Sequence, residues 1–443
     1  MEPSDSDLAR EVVPLLQDLL RADTSNPPGH ETRAAVVLKA YLEAAGLPCE
    51  LVAREPERAN LIARIEGTGE GPSLALLGHT DVVPVEDAPD WERGPFSGDL
   101  DDNGYVWGRG AVDMKNQTAA RAVAIALLAR SGWRPRGDLV FVAQADEEDG
   151  THQVGLTWLR HQRPDLACDY SLDEGGGMRL ELADGRVLVT LNVGEKATLP
   201  ALVTVLGEAG HASVPSPSNA VLRLSTIIGR LGQYQPERTV TPAGRRMLEL
   251  LVGSPDGNLE EAIARAGSLH PWLERTLPAR FCTTISPTRL TGSPARNVIP
   301  SRASVECDCR VLPGTTPPQL EAELRRALGD DLAYEIAFLE EPTGGTTSPV
   351  DSPLARICQE FLDRHDPGAT VFPTISTGFN DSHFMRESFG TTAYGFSPFR
   401  RSADIDEDAR AHARNERVHV EDLVHTTRFH LFAAQRLSEV GRA

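Results

Sequence analysis

Basic residues are scarce in this chain. Lys and Arg number 44 against 64 Asp and Glu in 443 residues, which gives a formal net charge of -20 at pH 7. Nucleic acids and anionic membrane surfaces bind proteins through a basic face, so we expect neither as a partner. An acidic balance of this size is most often a matter of solubility, and by itself it says little about metal binding.

Long apolar runs are missing as well. No stretch approaches the roughly 20 apolar residues that span a bilayer. The chain starts with MEPSDSDLAREVVPLL, where acids precede the apolar positions and no basic segment occurs, as in a capped amphipathic helix and unlike a signal peptide. The six cysteines form no CxxC pair, which fits a reducing compartment. We therefore expect a cytoplasmic protein, with Cys307 and Cys309 as buried thiols on one face of a strand.

The remaining sequence alternates between helical and strand-like segments. Apolar positions recur at helical spacing in 7–22 and 31–46, and an Ala-rich helix is predicted over 116–131. Two nearly continuous apolar runs, SLALLGHTDVVPV and DLVFVAQADEED, are typical of strands buried on both faces. This alternation predicts an α/β fold.

The pattern changes near Gly194. From there the segments follow the order strand, helix, two strands, helix, strand, which predicts a compact β-α-β-β-α-β unit. We place this inserted domain at 195–341, between the two parts of a larger domain, 1–194 and 342–443. No element is predicted for the polar segment 233–280.

Histidine and aspartate follow the first buried strand. His79 and Asp81 are two residues apart, so in an extended chain their side chains lie on one side. A histidine that binds zinc usually donates a hydrogen bond from the N–H of its second ring nitrogen to a carboxylate or carbonyl. Asp113 follows the turn formed by Gly108 and Gly110 and precedes a helix. Taken alone, the His-x-Asp pair favours a structural contact, and Asp113 an N-cap.

Carboxylates follow the next two strands. Four adjacent acids, Asp146 to Asp149, end the second run, and Asp173 and Glu174 end a third. Adjacent acids repel one another unless cations are present, although a solvated loop is the alternative. The ends of buried strands converge at one sheet edge. Histidine with carboxylates suits zinc, with cobalt or manganese as substitutes. No HExxH occurs, which excludes the common single-zinc protease plan.

The order of motifs resembles one enzyme family. The motifs are GHTDVVPV, GRGAVDMK, DEEDGTHQVG, LDEGG, GHASVPSPSNA, NVIPSRASVECDCRVLPG and HARNE. They resemble the dinuclear-zinc family of aminoacylase, carboxypeptidase G, succinyl-diaminopimelate desuccinylase and acetylornithine deacetylase, and DEEDGTHQVG and LDEG resemble the aminoacylase branch in particular. The resemblance spans nearly the whole chain. It implies a large zinc-exopeptidase-like α/β/α catalytic domain with the inserted unit as lid and dimerisation domain.

The resemblance also implies two zinc ions per chain. Asp113 would bridge them. His79 and Glu174 would complete the ligands of one ion, and Glu148 and His412 those of the other.

Catalytic roles follow by the same resemblance. Asp81 would orient His79, and Glu147 would be the general base that takes a proton from the metal-bridging water and returns it to the leaving amine. A cis peptide bond is implied between Asp113 and Met114.

Two histidines near the C-terminal end of the sequence are candidates for the same metal ligand. His383 lies in an acid-flanked loop, so composition favours it, whereas the family's spacing of His, Asp/Asn and Glu points to His412. We follow the spacing and treat His383 as pocket lining. Asp381 is a candidate contact of the metal ligands or of the substrate.

Three candidates lie in the inserted domain. By resemblance, His211 reaches the active site of a partner subunit and stabilises an oxyanion, so a homodimer is expected. The alternative interpretation of His211 is a structural histidine in a turn, beside Ser213. Asn297 and Arg310 match positions that bind the substrate and its carboxylate, and arginine suits a carboxylate because its planar fork binds two oxygens. The alternative for Arg310 is a salt bridge at the end of a strand.

These features predict a hydrolase of the amide C–N bond in N-acyl amino acids or short peptides with a free carboxylate. Carboxypeptidase or dipeptidase action and a dedicated biosynthetic deacylase remain open. A catalytically silent homologue that binds amino-acid derivatives is the alternative of another class, and a zinc-independent structural α/β protein is the third.

Overall fold

The computed structural model describes residues 3–86, 88–253, 257–401 and 411–441. The chain divides into two compact units. Unit 1 comprises Met1–Val193, Ser348–Thr374 and Asn380–Ala443, and unit 2 comprises Gly194–Thr347 and Ile375–Phe379. The segment predicted as an insertion, 195–341, lies within unit 2. Among the described helices, none combines the length and apolarity needed to cross a membrane.

Helices and strands are numbered along the chain. The helices are α1 (Asp5–Arg21), α2 (Thr32–Ala44), α3 (Lys115–Arg130), α4 (Leu156–Gln162), α5 (Ala220–Gln233), α6 (Pro242–Val252), α7 (Leu259–Gly267), α8 (Pro271–Thr276), α9 (Pro317–Leu328), α10 (Pro353–His365), α11 (Ser382–Phe389) and α12 (Val420–Glu439). The strands are β1 (Cys49–Ala53), β2 (Ala59–Ile65), β3 (Leu74–His79), β4 (Tyr105–Trp107), β5 (Leu139–Gln144), β6 (Tyr170–Asp173), β7 (Arg179–Glu181), β8 (Val187–Glu195), β9 (Ala197–Thr198), β10 (Ala201–Leu206), β11 (Gly210–His211), β12 (Thr284–Thr291), β13 (Val298–Ile299), β14 (Arg302–Val311), β15 (Tyr334–Phe338), β16 (Ala369–Ser376), β17 (Thr392–Gly395) and β18 (Arg417–His419).

The main sheet belongs to unit 1 and follows the order β1-β2-β5-β3-β6-β17-β8-β16, with β7 beside β8. Every residue of β3 and β5 is buried, as expected for central strands covered on both faces. β3 pairs in parallel with both β5 and β6. α1, α3 and α12 pack on one another, α3 also contacts β3 and β5, and α11 contacts β6 and β17. The α/β class predicted from the sequence is confirmed.

Unit 2 contains an antiparallel sheet in the order β12-β14-β10-β15. α5 packs against β10 and β14 and contacts α9, so the β-α-β-β-α-β order follows the predicted pattern. Buried residues alternate along β14 with residues that are mostly half-buried, and its inward side chains join the core of the unit. Cys307 and Cys309 are among them and are free thiols, as predicted.

Two regions differ from the sequence prediction. The polar segment 233–280 contains α6, α7 and α8. Each helix is preceded by a residue whose side chain accepts a hydrogen bond from a backbone N–H of the first turn, namely Thr241, Asn258 and His270. These helices are short, so no long periodic run marks them. β8 was not predicted either. Eight of its nine residues are buried, which removes the alternation by which a half-exposed strand is recognised.

Candidate metal centre

Three parallel strands end at the same edge of the unit 1 sheet. In the register of β3 with its neighbours, His79 lies beside Gln144 of β5 and Leu76 beside Leu172 of β6. His79 is the last residue of β3. The acids after β5 begin two residues beyond its end, and Glu174 comes directly after β6. Because parallel strands end together, side chains far apart in sequence converge at this edge.

The first group of potential ligands comprises His79, Asp113 and Glu174, whose ligand atoms lie within 4.8 Å of one another. Nε2 of His79 is 3.1 Å from Oδ1 of Asp113 and 3.7 Å from Oε2 of Glu174. The His79 side chain is 1% exposed. One imidazole and two carboxylates therefore surround a single small volume.

The second group comprises Asp113, Glu148 and His412. Nε2 of His412 is 3.0 Å from Oε2 of Glu148 and 3.2 Å from Oδ2 of Asp113. Asp113 thus belongs to both groups and presents a different carboxylate oxygen to each histidine. The peptide bond between Asp113 and Met114 is cis, as the resemblance implies.

Glu147 lies beside these groups without belonging to either. Its side chain is 10% exposed, and Oε2 is 3.9 Å from Nε2 of His79. Burial, followed by the charge of Glu174, raises the pKa of Glu147 well above its usual range. A buried carboxylate that touches the edge of the cluster is suited to exchange protons with a group bound there.

The electrostatics of the cluster fit bound cations. Burial raises the pKa of Glu174 to about 8, with the charge of Asp113 as the next cause. Burial also raises the pKa of Glu148. Oε1 of Glu148 is buried and has no hydrogen-bond partner among the described residues. A cation would offset the repulsion among the carboxylates and would give this oxygen a partner. The donor set of imidazole nitrogens and carboxylate oxygens is one that zinc, cobalt and manganese accept.

The backbone carbonyl and the side chain of Asp81 contact different groups, which the sequence did not predict. Nδ1 of His79 lies 3.0 Å from the backbone oxygen of Asp81 and 3.6 Å from its carboxylate. The carboxylate accepts instead from the backbone N–H groups of Glu147 and Glu148, at 3.2 and 3.0 Å. Asp81 therefore contacts the histidine mainly through its backbone carbonyl, and the acidic loop after β5 through its side chain.

Behind Asp81 lies a buried network that sequence reasoning missed. The side-chain amide of Asn26 donates to Asp81 at 2.9 Å and to Asp146 at 3.1 Å. Arg58 donates to Glu31 and, at 3.2 Å, to Asp146. All of these side chains are less than 5% exposed. No sequence motif predicts these contacts, because the partners lie far apart in the sequence. The network is recognised only from the burial of its side chains in the folded chain.

The structure separates the two competing histidines. His383 is buried in α11, with Nε2 3.8 Å from Glu387 and its ring against Phe384, and it belongs to neither ligand group. His412 belongs to the second group, although its side chain is 52% exposed. Asp381 is buried, and its Oδ2 has no hydrogen-bond partner among the described residues. Burial, followed by the charge of Asp173, raises the pKa of Asp381 well above its usual range.

In unit 2, His211 and Asn297 are neighbours although 86 positions separate their numbers. The short strands β11 and β13 pair His211 with Val298, and the backbone N–H of Ala212 donates to the Asn297 carbonyl at 3.0 Å. Nδ1 of His211 lies 2.7 Å from the Ser213 hydroxyl, which is the contact named as its alternative.

Arg310 is partly exposed and already paired. Its guanidinium donates twice to the Asp308 carboxylate, at 2.7 and 3.0 Å, and once to the Thr198 hydroxyl at 2.8 Å. The salt bridge offered as its alternative is therefore present. The same contacts show that the Arg310 guanidinium binds a carboxylate through two of its nitrogens.

Comparison with known proteins gives consistent matches. The model of the family described as Peptidase family M20/M25/M40 matches residues 75–436. Succinyl-diaminopimelate desuccinylase from Rhodospirillum centenum is 28% identical over 97% of this chain and 98% of its own. Aminoacylase-1B from Rattus norvegicus is 28% identical over 92% and 90%. The fold is similar to that of an M20 family metallo-carboxypeptidase from Sulfolobus solfataricus, with a TM-score of 0.71, 20% identity, and coverage of 97% of this chain and 100% of that one.

Proposed function

The chain belongs to peptidase family M20/M25/M40, and from this premise we propose that it hydrolyses the amide C–N bond of N-acyl amino acids or short peptides with a free carboxylate. Membership confirms the resemblance found in the sequence. The observation that carries the proposal is the sharing of Asp113 between two ligand groups, each with its own histidine. The names of the desuccinylase and aminoacylase relatives favour deacylation.

Two metal ions, preferably zinc, would be held by this cluster. Asp113 would be shared, with His79 and Glu174 on one side and Glu148 and His412 on the other. When bound, such ions lower the pKa of a water molecule to near neutrality and polarise an amide carbonyl.

The chain's own residues supply the proton transfers. Glu147 would accept a proton at its carboxylate and later deliver it to the nitrogen of the leaving amine. Asp81 would keep Glu147 in place, since its carboxylate accepts the backbone N–H groups of Glu147 and Glu148. His211 would donate a hydrogen bond to the carbonyl oxygen of the acyl group, where negative charge develops when the acyl carbon is attacked.

Substrate recognition would fall to unit 2. The position of Asn297 beside His211 supports a shared role at the substrate. Arg310 would exchange its present partner, Asp308, for the substrate carboxylate, since the same fork fits both.

We expect Arg310→Ala to lower kcat/KM about 10- to 100-fold for substrates with a free carboxylate, because a charge-assisted hydrogen bond is lost. Amidated or esterified versions of the same substrates should lose far less. Steady-state kinetics on matched pairs measures this. Arg302→Ala is the control, because Arg302 also lies on β14 in an ion pair, with Glu335. An equal rise in KM for both kinds of substrate contradicts the role.

A homodimer through unit 2 forms part of the proposal. β12 is an edge strand of the sheet, and its last six residues are exposed. Beside it α5 exposes Val221 and Leu222, 42% and 60% accessible, and β12 itself exposes Leu290, 63% accessible. A long edge strand with apolar neighbours is suited to pair with another copy of itself.

Two other kinds of enzyme remain consistent with the same cluster, namely a carboxypeptidase or dipeptidase and a dedicated biosynthetic deacylase. A catalytically silent homologue is disfavoured, because the chain retains the proposed base and all five proposed ligands. The choice among the enzymes depends on the acyl group and the side chain that unit 2 accepts.

The proposal is tested by metal removal and a substrate screen. We expect about two zinc ions per chain in purified protein, loss of hydrolysis on chelation, and its return on adding zinc or cobalt. N-acetyl amino acids, N-succinyl amino acids and dipeptides are then compared by kcat/KM on the zinc-loaded enzyme. Protein that holds no metal and gains no activity from zinc or cobalt contradicts the proposed function.

A further inference from the structure

A buried ion pair joins the two segments that carry Asp113 and His412. Arg109 and Glu416 are 3% and 0% exposed, and the guanidinium donates to Oε2 of Glu416 at 2.8 Å. Arg109 follows β4 in the turn that leads to Asp113, whereas Glu416 follows His412 by four residues and precedes β18. β4 and β18 themselves pair, with Arg417 opposite Trp107.

Glu416 holds the turn at the point where Asp113 leaves it. Its Oε1 accepts from the backbone N–H groups of Val112 at 2.7 Å and Asp113 at 3.0 Å. The backbone carbonyl of Glu416 also accepts from Gly108 at 2.9 Å. A buried carboxylate that accepts two consecutive backbone donors fixes the direction of the chain between them.

Arg109 holds the loop of His412. It donates to the backbone carbonyls of Ala413 at 3.1 Å and His412 at 3.3 Å, and it lies 5.3 Å from the centre of the Trp91 ring. The φ angle of His412 is 63°, a left-handed conformation that few side chains adopt. Since half of the His412 side chain is exposed, packing alone does not hold it, and the backbone contacts of Arg109 take that role.

We infer that Arg109 and Glu416 are positioning residues, which fix Asp113 and His412 relative to each other and thereby set the metal affinity of the site formed by Asp113, Glu148 and His412. The inference rests on the proposed function. The other site depends less on this pair, because two of its members, His79 and Glu174, lie at the ends of strands held by the sheet.

The experiment titrates the metal-free, full-length protein with Zn²⁺ in competition with a chromophoric chelator. We expect Glu416→Ala to weaken one of the two sites about 10- to 100-fold, the size typical for groups that orient ligands, and to leave the other within about threefold. Glu416→Gln should lose less, because its amide oxygen still accepts from the backbone. His412→Ala and His79→Ala identify the two sites, and Glu416→Ala should resemble His412→Ala.

Asp366→Asn is the matched control, since it weakens another ion pair of unit 1, with Arg179, whose two residues belong to none of the groups of potential ligands. It should bind zinc as the wild type does. Thermal unfolding of the metal-free variants shows whether each one is folded. If Glu416→Ala does not fold, the same zinc titration of Glu416→Gln and Arg109→Lys tests the inference instead. Two unchanged sites, or equal weakening of both in folded variants, overturn the inference. A wild-type protein that binds no zinc overturns the proposed function, and this inference with it.

Discussion

Glu147→Gln is expected to lower kcat about 10³-fold, because the amide can neither accept nor deliver the proton that general acid–base catalysis requires. The zinc content should stay at that of the wild type, since Glu147 lies in none of the groups of potential ligands. KM should change little, because the substitution preserves shape and removes no proposed substrate contact. Steady-state kinetics and metal analysis of the same preparation measure both quantities.

Asp149→Asn is the control for this substitution. Asp149 lies on the same loop after β5, but its side chain is exposed and contacts Thr151. We expect wild-type activity from this variant. A Glu147→Gln enzyme with near wild-type kcat would assign the base to another residue. Loss of zinc together with activity would instead make Glu147 a ligand.

His211→Ala is expected to lower kcat about 10²- to 10³-fold, the usual cost of removing one hydrogen-bond donor to an oxyanion. Folding and zinc content should be unaffected, because His211 is exposed and lies on the short strand β11 of unit 2. His161→Ala, which removes an exposed histidine of unit 1, should retain full activity.

A mixture of two inactive variants tests whether His211 acts across a homodimer. When Glu147→Gln and His211→Ala proteins exchange subunits, each mixed dimer contains one site with an intact Glu147 and an intact histidine from the partner. Statistical exchange should therefore restore about a quarter of wild-type activity. Activity that stays at the level of the separate variants, in a mixture shown by native mass spectrometry to contain mixed dimers, places His211 in its own subunit's site.

The same exchange depends on the surface proposed for dimerisation. If a monomer is found at every concentration tested by sedimentation, the trans role of His211 fails with it. The metal cluster does not depend on that result, because all of its proposed ligands lie in unit 1.

The sequence by itself determined the α/β class, the β-α-β-β-α-β unit and the positions where ligand-type residues follow buried strands. Apolar runs such as that of β3 are local signals, and parallel strands that end together bring His79 and Glu174 to one edge. Short helices in 233–280 and the fully buried β8 lack such local periodicity, so they were missed.

Only the tertiary structure decided which distant groups meet. Composition favoured His383 and the family spacing favoured His412, but it is the loop before β18 that brings His412 to within 3.2 Å of Asp113. The separate contacts of the Asp81 backbone and side chain are likewise seen only in the folded chain, as is the ion pair of Arg109 with Glu416. Contacts between residues hundreds of positions apart leave no trace in local periodicity, because they depend on how the elements pack and not on the residues next to them.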